Sequence, residues 1–336
     1  MEVRYKAASA THDLSSMAAA ATSPPPHVLV TGASGLLGRA VLAAFRASGS
    51  GFSAAGTAHS RAEAHGLLAC DLRDADAARA LVLAQRPALV VHSAAERRPD
   101  ACEKDEAGSA LRINVDAVFA LARAAADVGA AFLYVSTDYL FAGDAAPYDE
   151  RAEPRPLNAY GRLKLRGEHA ALAGHPAPVL LRVPVLFGPT ADLSESAVTT
   201  FASAVRDAAK RQKIDDWQIR VPTFTPDVAA TIVNIARALE RARAGAGGPE
   251  APAGIFNYSS SERFTRFSLV AHFARLLGLD ASHIEKLEGM PPGAPRPFDC
   301  ALNQGKLEAL GLAAPHTRFE QASREVLVGA GLTVVA

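Results

Sequence analysis

The sequence has few cysteines and no excess charge of either sign, and each shortage excludes a class of protein. Its three cysteines, Cys70, Cys102 and Cys300, are odd in number and too widely spaced for a zinc-ligand motif. This argues against a disulfide framework and a metal site, and it favours a reducing compartment. Lys plus Arg and Asp plus Glu total 35 each, so no net field attracts nucleic acid or an anionic membrane.

Long hydrophobic runs are also missing, since none approaches the roughly 20 residues of a membrane-spanning helix. Residues 1–26 end in SPPP and lack sustained periodicity, which predicts a disordered tail. Within them, residues 18–21 are too short for the apolar core of a secretory signal, and Glu2 and Asp13 argue against a transit peptide. We therefore expect a cytoplasmic protein whose partner is a small molecule or another protein.

Residues 27–38, HVLVTGASGLLG, place three glycines directly after a short apolar run. The run is typical of a buried strand, and the apolar period of Leu36–Phe45 predicts a helix. Gly32 allows a tight reversal, Gly35 lets the backbone approach a pyrophosphate, and Gly38 lets the helix pack against the strand. The TGxxGxxG spacing, that of short-chain dehydrogenases/reductases, predicts a dinucleotide site. The alternative is a glycine-rich turn in an unrelated α/β protein.

The predicted second strand, Phe52–Ala58, leads to the place where this fold meets the adenosine ribose. An NAD site normally has an acid there, whereas the first acid after this predicted strand is Glu63. Arg61, with His59 and Ser60, suits a 2′-phosphate because a guanidinium matches phosphate oxygens. NADP is therefore expected rather than NAD. The alternative is a solvated loop with one arginine.

The next two predicted strands, residues 67–72 and 88–92, end in further candidate ligand groups. Asp71 falls where the adenine amino group is usually held. Ser93-Ala94-Ala95 are small enough to let the backbone line the cofactor crevice. Arg97, in the charged run ERRPD, is either a ligand group beside the crevice or part of a solvated loop.

A set of catalytic residues is predicted further along the chain. Asn114, within a predicted helix over 105–128, is either a helix-bending residue or part of a proton relay. The fifth strand, residues 131–135, ends in Ser136-Thr137-Asp138-Tyr139. Tyr160 and Lys164 share one helix face, where the lysine can lower the phenol pKa and hold the nicotinamide ribose. Thr137, Tyr160 and Lys164 are thus predicted as carbonyl-orienting hydroxyl, proton donor and activator. The alternative is a surface helix that carries a tyrosine.

These elements predict an α/β fold, a Rossmann doubly wound parallel sheet, over residues 27–189. The sixth strand, residues 179–185, is expected to close the sheet. Residues 190–336 are expected to form a smaller α/β region, on the substrate or partner side, that is interleaved with the first. A strand at 255–259 is assigned to this smaller region.

With these motifs in place, the sequence resembles the extended short-chain dehydrogenases/reductases, and within them the dTDP-4-dehydrorhamnose reductase group. Within that group it resembles the regulatory β subunits of methionine adenosyltransferase, over about residues 27–315. The specific marks are AERRPD, LSESAVT at 193–199, Asp216-Trp217 and KLE at 306–308.

The resemblance implies NADP contacts at Ser34, Gly35, Leu36, Leu37, His59, Ser60, Arg61, Asp71, Leu72, Ser93, Arg97, Tyr160 and Leu186. It implies a non-catalytic subunit that modulates S-adenosylmethionine synthesis by a catalytic partner. The alternative is an NADPH-dependent reductase of a nucleotide sugar. Val185 stands where the reductases have a sugar-framing tryptophan, which favours the β subunits. Their aromatic and basic C-terminal tail is not matched by GLTVVA here, so we expect docking through it to be altered or absent.

Overall fold

The computed structural model describes residues 24–60, 62–63, 66–245 and 251–335. Most of the predicted tail (residues 1–23) and Arg61 lie outside the described residues. Among the helices of the described ranges, none combines the length and the apolar character needed to cross a bilayer.

The described chain contains strands and helices, which alternate along its first half. The strands are β1 (His27–Thr31), β2 (Ser53–Ala58), β3 (Leu68–Ala69), β4 (Leu89–His92), β5 (Ala131–Thr137), β6 (Val179–Val183), β7 (Leu186–Phe187), β8 (Gln212–Asp215), β9 (Ile219–Arg220), β10 (Thr223–Phe224), β11 (Gly254–Asn257), β12 (Phe264–Thr265) and β13 (Ile284–Leu287). The helices are α1 (Leu36–Arg46), α2 (Ala75–Gln85), α3 (Pro99–Glu103), α4 (Ser109–Leu111), α5 (Ala117–Asp127), α6 (Ala159–Gly174), α7 (Thr200–Arg206), α8 (Thr225–Arg243), α9 (Arg266–Leu277), α10 (Gly305–Ala309) and α11 (Phe319–Gly329). A π-helical turn (Arg112–Asp116) joins α4 to α5, and 3₁₀ turns span Asp138–Leu140 and Leu193–Glu195.

In the described part of the chain, seven parallel strands form the main sheet in the order β11-β6-β5-β4-β1-β2-β3. The strand order reverses at β1, which pairs with β2 on one side and β4 on the other. Open α/β sheets bind ligands outside the carboxyl ends of the strands at such a reversal. The predicted Rossmann fold is confirmed.

Both faces of the main sheet are covered by helices. Val28 and Val30 of β1 pack into the core under α1 and α8, while Leu29 between them packs into the core under α5. A strand buried on both faces has no reason to alternate polar and apolar residues, which explains the unbroken apolar run of β1.

The prediction that the sixth strand closes the sheet is wrong. β11 pairs with β6 over Ile255↔Leu180 and Phe256↔Leu181 and forms the edge beyond it. All five residues of β6 are buried, so this strand needs a neighbour on each side. The strand expected in the smaller region therefore belongs to the main sheet.

Two further predicted elements differ from the structure. The third strand is only Leu68–Ala69, because the chain turns away before Asp71. The helix expected over 105–128 begins at Ser109 and contains the π-helical turn. Gly108, at φ +68°, sets its start, because that left-handed conformation favours glycine.

A second core lies outside the main sheet, between α7, α9, α11 and the short strand pairs. We call it the second core cluster; it includes Phe187, Leu193, Phe201, Phe273 and Phe319. The C-terminal segment folds onto this cluster. Its Leu332 and Val334 pack there, and the Val335 N–H donates to the carbonyl of Leu276 at 2.8 Å.

Gly167, in the middle of α6, tests how tightly this helix packs on β5. A Cβ there would lie 2.3 Å from Tyr134 Oη and 2.5 Å from the Asn114 carbonyl oxygen. We expect Gly167→Ala to lower the free energy of unfolding by about 1–3 kcal/mol, although alanine favours helices, because of overpacking. Chemical denaturation measures the change. The control is Gly329→Ala, where a Cβ would meet no described atom within 4 Å apart from its chain neighbours and the backbone of its own helix, and the change should be near zero or stabilising. Equal effects at both sites would contradict this packing.

Candidate cofactor cleft

A cleft of about 710 Å³ opens at the carboxyl ends of β1, β4 and β5. It brings together most of the predicted site residues, which come from distant parts of the sequence. Those that line it are Gly32, Ser34, Gly35, Leu36, Leu37, Gly38, His59, Asp71, Leu72, Ser93, Ala94, Arg97, Thr137, Tyr160, Lys164 and Leu186. Ser60 is not among the lining residues.

The glycine turn forms the floor of the cleft. At Gly32 (φ +72°) a Cβ would lie 2.8 Å from the backbone of Ala94, and at Gly38 it would lie 2.2 Å from the Gly32 oxygen. Gly35 precedes α1 with no side-chain cap among the described residues, and the first turn of α1 has no acidic residue. The positive end of α1 is therefore available to an anion, so the turn fits a dinucleotide pyrophosphate.

The adenosine end of the cleft carries a fixed carboxylate. Asp71 accepts two side-chain hydrogen bonds of 2.8 Å from Arg73, whose guanidinium holds the pKa of Asp71 at about 2. His59 Nε2 lies 3.5 Å from the same carboxylate and 3.3 Å from Arg73. Arg73 is not among the site residues predicted from the sequence. The available signal was an arginine two residues after a strand-end aspartate.

Asn114 fixes the charged run after β4. Its side chain accepts from the Glu96 N–H at 3.1 Å and donates to the Glu96 carbonyl at 3.0 Å. Both halves of the side-chain amide are engaged by one residue, so Asn114 ties the loop after β4 to the π-helical turn. Arg98 pairs with the Glu96 carboxylate, while Arg97 crosses the cleft and donates to the Glu195 carbonyl at 2.7 Å.

Tyr160 lies at the start of α6, which Asn158 caps by accepting from the Gly161 N–H at 2.9 Å. Burial raises the pKa of Tyr160 well above its ordinary value, and the Thr137 hydroxyl opposes this shift by hydrogen bonding. The edge of the Tyr139 ring packs on Tyr160, with the centroids 5.9 Å apart. Thr137 and Tyr160 both line the cleft.

Lys164 lines the cleft one helical turn after Tyr160, and its ammonium group is held by the neighbouring strand. Its Nζ donates to the Val135 carbonyl at 2.7 Å and lies 4.0 Å from the Tyr134 ring centroid. Burial of Tyr160 outweighs the other influences on its phenol and moves its pKa upward, so the lowering of this pKa by Lys164 stays a prediction. Burial also lowers the pKa of Lys164 to about 7, although nearby Glu168 opposes the shift.

Glu168 connects the site to the sheet through a buried ion pair. Its carboxylate accepts from Arg182 Nε at 2.9 Å and from the terminal Nη2 at 2.7 Å, and both side chains are 2% exposed. The pair holds α6 on β6. A buried pair of this geometry fixes the register of the two elements, and removal of one partner would leave a buried charge.

The other half of the cleft is rich in arginines that are not among the predicted site residues. Arg266 pairs with buried Asp215 at 2.6 Å, and Arg296 pairs with Asp100 at 2.9 Å. Arg220 lies near Asp138, whose pKa burial raises to about 6 while Arg220 opposes the shift. No local sequence signal marks these side chains, because only the fold brings them to the cleft.

Comparison with known proteins agrees with this architecture. The family described as RmlD substrate binding domain matches residues 26–329. The chain is 40% identical over 308 residues to methionine adenosyltransferase 2 subunit beta of Danio rerio, covering 91% of each protein. It is 32% identical to dTDP-4-dehydrorhamnose reductase of Streptomyces griseus, covering 86% of this chain and 89% of that one. The fold matches the Bacillus anthracis dTDP-4-dehydrorhamnose reductase in complex with NADP, with a TM-score of 0.74, 22% identity, and 91% and 99% coverage.

The shifted pKa of Lys164 makes stability depend on pH. Between about pH 7, its folded value, and its ordinary value of 10.5, the unfolded chain binds the proton and the folded chain does not. The free energy of unfolding therefore increases as pH rises through this window. His92, which faces Lys164, has a pKa near 3 through burial and stays neutral there. We expect the urea midpoint of the unaltered chain to rise relative to that of Lys164→Met from pH 6.5 to 9.5. A difference between the two midpoints that does not vary with pH would contradict this assignment.

Proposed function

This chain belongs to the RmlD substrate binding domain family, with the methionine adenosyltransferase β subunits among its relatives, and from this premise we propose that it is an NADP-binding regulatory subunit of methionine adenosyltransferase. The observation that carries the proposal is 40% identity to such a subunit over 91% of both chains. The proposed partner is a catalytic subunit whose synthesis of S-adenosylmethionine this chain modulates.

The cleft supports the proposed cofactor through the chemistry of its donors. The glycine turn and the N-terminus of α1 would hold the pyrophosphate, and Asp71 would accept from the adenine amino group. No acid directly follows β2 to bind a ribose 2′-hydroxyl. His59 at the cleft and Arg61 in the sequence would instead pair with a 2′-phosphate, which distinguishes NADP from NAD.

A second candidate, an NADPH-dependent reductase of a nucleotide sugar, is favoured by the presence of Thr137, Tyr160 and Lys164 in one cleft. NADPH supplies a hydride when bound. Thr137 would orient a substrate carbonyl, and Tyr160, kept protonated by its raised pKa, would hold the proton to be donated. Val185 lines the cleft where the reductases carry a tryptophan, which favours the regulatory role.

The regulatory role needs a link between cofactor and partner. A ligand that favours one arrangement of the cleft segments strengthens association with any partner that favours the same arrangement, and the effect is reciprocal. We place cofactor binding in residues 27–189 and partner binding in residues 190–336. Two elements of the second range nevertheless belong to the main sheet's structure: β11 forms its edge strand, and α8 packs on one of its faces. The proposed location is the cytoplasm.

The cofactor preference can be tested at Arg61. We expect the unaltered chain to bind NADP more tightly than NAD. Arg61→Ala should weaken the binding free energy of NADP by about 1.5–3 kcal/mol, which is the scale of a charged hydrogen bond. NAD affinity should change little, because NAD has no 2′-phosphate. Calorimetric titration with both cofactors measures this, with Arg241→Ala, an exposed arginine on α8, as the control. Equal NADP affinity in Arg61→Ala and the unaltered chain would remove Arg61 from the site.

The regulatory role can be tested with a purified catalytic subunit from the same source. We expect association by sedimentation, tighter when NADP is present, together with altered kinetics of S-adenosylmethionine synthesis. Absence of association in both conditions would contradict the proposal. Oxidation of NADPH with dTDP-4-dehydrorhamnose, abolished in Tyr160→Phe, would instead establish the reductase.

A further inference from the structure

A chain of polar contacts adjoins the cleft near the glycine turn, and we call it the clasp. It consists of Arg39, Glu195 and Arg97, which come from α1, from the 3₁₀ turn at Leu193–Glu195 and from the loop after β4. Glu195 and Arg97 line the cleft, whereas Arg39 lies behind it. None of the three is a neighbour of another in sequence, so the fold assembles the clasp.

Arg39 anchors one end of the clasp. Its Nη1 donates to the Ser34 carbonyl within the glycine turn at 2.8 Å and faces Glu195 Oε1 at 3.4 Å. Its Nη2 pairs with Glu195 Oε2. The two side chains are 29% and 23% exposed, so the ion pair is partly shielded from water. Such a forked, charge-assisted contact holds its partner in one orientation.

The 3₁₀ turn forms the middle of the clasp. The Thr190 hydroxyl donates to Glu195 Oε2 at 3.1 Å, and the Glu195 main-chain carbonyl accepts from Arg97 at 2.7 Å. Leu193, at the other end of the turn, is buried in the second core cluster. A change at Glu195 therefore moves a segment that connects the cleft to that cluster.

We propose that the clasp controls how fast a dinucleotide enters and leaves the cleft, with Arg39 as a positioning residue that acts through Glu195. The inference rests on the proposed NADP binding and deepens it. Arg97 reaches across the cleft between the β4 loop and the 3₁₀ turn, so a dinucleotide on the glycine turn is enclosed while the clasp is closed. Opening requires the Arg39–Glu195 pair or the Arg97 contact to separate.

Release kinetics test the clasp directly. Trp217 is the only tryptophan in the chain, so energy transfer from it can report bound NADPH. The chain is loaded with NADPH and mixed with excess NADP, and the loss of transfer gives the release rate. We expect Arg39→Met and Glu195→Ala to release NADPH about tenfold faster, the scale for losing a partly shielded charged hydrogen bond.

Two further variants separate positioning from general destabilisation. The double variant should release no faster than the faster single variant, because both changes break the same contact. Arg39→Lys, which keeps the charge, should restore part of the slow release. The control Arg79→Met removes an exposed ion pair with Asp127 away from the cleft and should match the unaltered chain. Thermal melting confirms that each variant is folded.

The outcomes separate the clasp from the proposed cofactor. Energy transfer in the unaltered chain, with unchanged release in Arg39→Met and Glu195→Ala, would overturn the clasp alone. The clasp would also be overturned if the fold increases in release rate of the two single variants multiplied in the double variant. No NADPH binding to the unaltered chain would overturn the proposed cofactor and the clasp together.

Discussion

The structure depends on one close approach, that of the glycine turn to the chain that follows β4. A side chain at Gly32 would overlap the backbone of Ala94, and one at Gly38 would overlap the Gly32 carbonyl. These contacts bring β1, α1 and β4 together at the reversal of strand order, where the cleft opens. Every candidate ligand group of the cofactor half is placed relative to that junction.

Local patterns predicted much of this architecture, because the glycine turn and the Tyr160–Lys164 spacing need only a few neighbouring residues to define their geometry. Contacts between distant residues could not be predicted in this way. β11 joins β6 across more than seventy residues of sequence, and Glu195 meets Arg39 across 156. Arg73 and the Lys164–Val135 contact depend on side-chain conformations that a period or a spacing does not specify.

The two halves of the cleft have different chemistry. The cofactor half offers a helix N-terminus, small residues and one fixed carboxylate, which suits an extended anionic dinucleotide. The other half contains arginines paired with Asp215 and Asp100, and it adjoins the segment that leads to the second core cluster. The proposed regulatory role needs such a connection, because a bound ligand influences a partner only through segments that respond to both.

In the proposed arrangement, the glycine turn, the loop after β4 and the 3₁₀ turn form one dinucleotide site. Hydrogen–deuterium exchange with and without NADP is the sharpest test of this arrangement. We expect slower exchange on NADP binding in residues 32–38, 93–98 and 193–197, with little change in α11. Protection confined to other segments, or no protection at saturating NADP, would contradict it.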